Sequence, residues 1–88
     1  MADLKKAISS PTAEVLIYLL TEQGRMTFDM MLDGCAEFEH DATEGQIRRC
    51  LEDLCQVGVA AEVGRTHSTN VPVYSLVGRW GAGEKAND

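Results

Sequence analysis

The sequence predicts an α+β domain in which three helices precede a two-stranded β-hairpin, and three observations predict it. Apolar residues recur at helical spacing in three stretches, each opened by a serine or threonine placed to cap it. After Gly58 the pattern changes to two short valine-bearing runs, "VAAEV" and "VPVYSLV", separated by the polar "GRTHSTN". The chain has 88 residues, 44% hydrophobic and 25% charged, which suits one small folded domain.

Residues 1–9 are read as a flexible N-terminus, 10–79 as the domain and 80–88 as a flexible C-terminal tail, with Trp80 anchored back on the domain. The first predicted helix starts at Ser10 as cap, has Pro11 in its first turn and stops at Gly24. Ala13, Leu16, Ile17 and Leu20 share one face, and Val15, Tyr18 and Leu19 add apolar surface beyond it. So apolar a helix is either central to the core or covered by a partner. Arg25–Met26 is long enough for one strand-like bridge. Thr27 caps a second helix, with Phe28, Met31, Leu32 and Cys35 on its inner face. Met26 and the Met30–Met31 pair read as core filling.

The polar "EFEHDA" connects to the third helix, whose Thr43-x-x-Gln46 start matches a capping box. At about 100° per residue, Ile47, Leu51, Leu54 and Gly58 fall on one side of this helix. Cys50 and Cys55 lie on opposite edges of that stripe, poorly placed to share a metal. Gly45, Arg49, Glu52 and Gln56 face away from it, and Gln46 and Arg48 sit at the margins.

The longest apolar run, Val15 to Leu20, is too short for a bilayer, and no apolar stretch follows the N-terminal lysines. A cytoplasmic location without membrane partners is therefore expected. Three cysteines without a C-x-x-C step form neither a disulfide framework nor a zinc motif. They read as reduced, small apolar residues. Cys35 and His40 offer no oriented third group, and no phosphate loop or paired carboxylates are present, so neither enzymatic activity, metal nor cofactor is expected.

The formal net charge is −6, the wrong sign for a polyanionic partner. Its distribution is uneven. Residues 1–40 carry three basic and seven acidic side chains, whereas residues 61–79 carry two basic and one acidic.

The order helix, bridge, helix, helix, hairpin resembles the winged helix-turn-helix superfamily over roughly residues 10–79. "LLTEQGRMTFDMML" looks like that superfamily's first helix, short strand and second helix. "TEGQIRRCLEDLCQVGVAAEVG" looks like its third helix and the start of the wing, and "VPVYSLV" like the returning wing strand, with Tyr74 and Leu76 facing the core. The match is one of pattern, without a motif diagnostic of one family.

The resemblance implies a DNA-binding transcriptional regulator of the bacterial, archaeal or phage type. Its third helix would enter the major groove and its wing tip would lie on the backbone or in the minor groove. The matching positions are Thr43, Glu44, Gln46, Arg48 and Arg49 on the helix, and Arg65, Thr66, His67, Ser68 and Asn70 at the tip. Arginine and glutamine suit guanine and adenine edges, and the hydroxyl and amide side chains suit phosphates. The expected partners are double-stranded DNA and a second copy, a homodimer formed through the apolar first helix. Two bland readings stand beside this one: the arginines are a solvated helix face, with Arg48 paired to Glu52, and the tip is a solvated turn. The alternative function is an acidic winged-helix module that binds protein through its first two helices and leaves DNA alone.

Overall fold

In a computed structural model, residues 4–80 form an α+β domain of four helices and a small three-stranded antiparallel sheet. The helices are α1 (Leu4–Ser9), α2 (Pro11–Gln23), α3 (Phe28–Glu37) and α4 (Glu44–Gln56). The strands are β1 (Met26–Thr27), β2 (Ala60–Arg65) and β3 (Pro72–Leu76), in the order β1-β3-β2.

The predicted caps are present. Ser10, Thr27 and Thr43 are extended, and each side chain accepts a backbone N–H of the turn that follows. At α4 the capping box is complete: Gln46 N donates to Thr43 Oγ1 at 3.1 Å, and Thr43 N donates to Gln46 Oε1 at 2.8 Å. At α3 the returning acceptor is the Met30 thioether at 3.5 Å, a weak substitute.

Helices α3 and α4 end alike. His40 N donates to Cys35 O and Glu39 N to Ala36 O, just as Val59 N donates to Leu54 O and Gly58 N to Cys55 O. This pairing is the Schellman motif, which needs a left-handed residue after the cap. Gly58 (φ +85°) meets that need without strain, and Glu39 (φ +55°) meets it despite its Cβ.

The core runs through all the layers, from Ala13, Leu16 and Leu20 through Met31 and Cys35 to Ile47, Leu51, Leu54, Val59 and Leu76. Helices α2 and α3 approach closely at Gly34, where a Cβ would stand 2.6 Å from Leu19 Cδ1.

The structure corrects some sequence expectations and agrees with others. Leu4–Ser9, read as flexible, form a fourth helix because Ala7 is buried and Ile8 packs on the core. The bridge strand is Met26–Thr27 and not Arg25–Met26, since Met26 pairs with Tyr74 and Thr27 with Val73. That pairing makes the sheet three-stranded. The apolar surplus of α2 is largely absorbed by its own fold: Leu19 is buried, and Val15 and Ile17 pack partly on the core. Met30 is exposed and serves the cap, whereas Met26 and Met31 are core. Trp80 ends a 3-10 turn and packs against the core; the rest of the predicted tail, 81–88, lies outside the described residues.

Candidate functional site

The candidate surface is built by two elements, the N-terminal half of α4 and the β2–β3 hairpin. The burial of Ile47, Cys50, Leu51 and Leu54 fixes how α4 is turned about its axis. Adjacent arginines on a helix diverge by about 100°, and here they part company. Arg48 lies on the hairpin side, in a shallow cleft it shares with Leu51, Cys55, Ala60, Glu62 and Tyr74. Arg49 lies on the opposite flank, in a groove with Lys6, Ser10, Thr12 and His40.

Arg48 is held by two contacts. Its guanidinium carbon stands 4.2 Å from the Phe28 ring centroid, a cation–π arrangement. Its Nη2 is 3.8 Å from Glu44 Oε2, so the ion pair expected with Glu52 forms instead one turn earlier. Glu44 and Arg48 remain more than half exposed, at 66% and 56%, so the pair contributes only a few tenths of a kcal/mol.

The hairpin arginine is likewise engaged. Arg65 Nε lies 3.2 Å from Glu62 Oε2, and its Nη1 donates to Asn70 O at 2.9 Å. Val63 is the extra residue of a β-bulge, since Glu62 faces Tyr74 and Gly64 faces Val73. Thr66 closes the tip: its hydroxyl accepts from Val71 N at 3.0 Å and lies 2.6 Å from Thr69 Oγ1. Asn70 takes a left-handed conformation (φ +56°), which asparagine tolerates better than most residues. His67, Ser68 and Thr69 are exposed there.

Arg48 and Tyr74 line one cleft with Glu62, and Glu62 is the ion-pair partner of Arg65. Burial above all, with Cys55 and Glu62, raises the Tyr74 pKa against the opposing effect of Arg48 and Arg65. The two elements therefore form one surface, with the cations interleaved by Glu44 and Glu62.

Of the positions expected to bind, Thr43 and Gln46 are tied into the cap, and Glu44, Arg48 and Arg65 are in ion pairs. Thr66 is spent on the turn. Arg49, His67 and Ser68 are exposed and have no side-chain partner among the described residues. Sequence reasoning missed Phe28 and Thr69. Thr69 was visible in "THSTN"; Phe28 carried no signal, because its contact with Arg48 is tertiary.

Of the thiols, Cys55 borders the Arg48 cleft and Cys50 the groove beside Arg49, while Cys35 lines neither. Cys35 and Cys50 are buried and Cys55 half-buried, and desolvation is the leading cause of the raised pKa at all three. Among the described residues, no group of three or more His, Cys, Asp or Glu side chains is arranged to hold a metal. His40 Nε2 lies 2.7 Å from Thr12 Oγ1, linking the α3–α4 connection to the start of α2. No helix among the described residues is long and apolar enough to cross a membrane. Compared with protein-family models, curated proteins and solved structures, the chain matches none.

Proposed function

We propose that the chain is a winged helix-turn-helix domain that binds double-stranded DNA as a small cytoplasmic transcriptional regulator. In this reading α2, α3 and α4 are the three helices of the motif, α4 enters the major groove, and the β2–β3 hairpin is the wing. The observation that carries it is the cleft that α4 and the hairpin share, where Arg48 lies with Tyr74 and with Glu62, the ion-pair partner of Arg65. The segregation of charge supports it as well: residues 11–41 carry seven acidic side chains and one basic, equal to the whole net charge of −6. Those carboxylates belong mainly to α2, α3 and the connection after them, leaving α4 and the hairpin close to neutral. Few cations are offered by one copy, so two copies on two half-sites complete the proposal.

The test is an amide chemical-shift titration with a mixed-sequence duplex at low salt. Shifts are expected at 43–49 and 65–70. With Arg48, Arg49 and Arg65 as the phosphate contacts, the slope of log K against log salt is about −3 per domain. Affinity then falls roughly 40-fold between 50 and 200 mM salt. Absence of shifts at both segments sinks the proposal.

A second reading is favoured by one observation: Glu44 and Glu62 already occupy Arg48 and Arg65. On that reading the fold is kept, DNA is not bound and the partner is a protein. Tight protein binding with no DNA association even at low salt distinguishes it.

A further inference from the structure

Among the described residues, the two most exposed large apolar side chains lie side by side outside the α4–hairpin surface. Tyr18 on α2 and Phe38 at the end of α3 are 50% and 48% exposed, with ring centroids 5.4 Å apart and planes tilted by 44°. Both large rings pack on each other and leave half their area to solvent, which is unusual beside a core that buries its other large side chains well.

The charged residues beside them on α2 and at the end of α3 have one sign. Glu14, Tyr18 and Glu22 fall at i, i+4 and i+8, on one side of α2, and Glu37 and Glu39 flank Phe38 in the chain. All four carboxylates are exposed, and none joins either ion pair present among the described residues. Of residues 11–41 only Arg25 is basic.

We infer that the Tyr18–Phe38 face is a docking surface for a basic segment of another protein, with lysine or arginine side chains around an apolar anchor. The charge complementarity is specific in kind. Cations gain from the ring faces as well as from the carboxylates, and the aliphatic stems of lysine and arginine cover apolar rings while their heads stay hydrated. A nucleic acid is repelled here. A second copy docking isologously would set like charges against each other. The inference is independent of the DNA reading, since it uses residues of α2 and the end of α3 and none of α4 or the hairpin.

The test uses the full chain and a synthetic helical peptide of lysine, arginine and leucine, with a glutamate-for-lysine version as control. Chemical-shift changes are expected at Glu14, Tyr18, Glu22 and 37–39 with the cationic peptide alone. Two variants separate the contributions. Tyr18→Ser/Phe38→Ser keeps the net charge at −6 and is expected to weaken binding roughly tenfold, as expected for loss of two ring faces. Glu14→Gln/Glu22→Gln/Glu37→Gln/Glu39→Gln is expected to weaken it by at least as much, and to flatten its salt dependence. All six positions are exposed, and circular dichroism checks that both variants fold.

Affinity unchanged by the ring substitutions overturns the proposal, because the attraction is then only net charge. Shifts mapping to α4 or the hairpin overturn it too. So does a dimer, seen by ultracentrifugation, that dissociates in Tyr18→Ser/Phe38→Ser, since a second copy then covers this face.

Discussion

Substituting Gly34 by alanine tests how closely α2 and α3 pack. The added Cβ would lie 2.6 Å from Leu19 Cδ1, 2.9 Å from Cδ2 and 3.3 Å from Cγ. Carbon atoms prefer about 3.5–4.0 Å, so the closest contact is short by roughly 1 Å. Leu19 is 7% exposed and packed, so its methyl groups have little free space to move into. Relieving such an overlap costs about 1–3 kcal/mol. Replacing a mid-helix glycine by alanine gains about 1 kcal/mol. Gly34→Ala is therefore expected to destabilise the domain by roughly 1 kcal/mol, against the sign of helix propensity.

The same substitution reverses sign once Leu19 is truncated. Leu19→Ala alone costs about 2–5 kcal/mol, and in that background the alanine methyl at position 34 fills part of the cavity. Gly34→Ala is then stabilising by roughly 1–2 kcal/mol, from propensity and burial of a methyl. The coupling energy is thus about 2–3 kcal/mol, read from urea unfolding followed by far-UV circular dichroism. Leu19→Val provides a milder background for the same comparison. A Gly34→Ala protein more stable than the parent, or strict additivity of the two changes, refutes the close-approach argument.

The matched ends of α3 and α4 give opposite expectations in the same assay. Gly58→Ala places a Cβ at φ +85° and is expected to cost about 1–2 kcal/mol, whereas Glu39→Gly relieves the strain at φ +55° and gains about 0.5–1 kcal/mol. Equal effects of either sign contradict the shared motif. Thr43→Ala removes the hydroxyl that caps α4 and is expected to lower stability by about 1 kcal/mol, with the loss seen first as faster amide exchange over residues 44–47. Exchange unchanged there counts against the cap. All three thiols have raised pKa values through burial, so their contribution to stability is complete below the ordinary value of 9.0 and is lost as pH rises through and beyond it. The urea midpoint is expected to fall above about pH 9, and a thiol reagent at neutral pH should modify Cys55 well before Cys35 and Cys50. Equal modification rates for the three contradict their burial.

What the chain determined by itself is local. Ser10–Pro11, Thr27, Thr43-x-x-Gln46 and Gly58 set the helix ends through contacts that span only a few residues, so they were legible as motifs. The buried faces of α2, α3 and α4 were legible for the same reason: a helix repeats every 3.6 residues whatever it packs against. The predicted α+β class followed from those two signals together with the valine-bearing runs after Gly58. The helix at Leu4–Ser9 escaped because six residues give less than two turns of periodicity, and its order comes from packing.

Tertiary structure decided the rest. β1 is two residues long and exists only because Tyr74 and Val73, far along the chain, pair with it. Arg48 and Arg49 read as one basic pair in sequence, yet the packing of α4 sends one toward Tyr74 and the other toward α1 and α2. Phe28 under Arg48 and Phe38 against Tyr18 are contacts between elements that no periodicity encodes. Local hydrogen bonds and helix pitch are written residue by residue, whereas the company a side chain keeps depends on how distant segments close around one core.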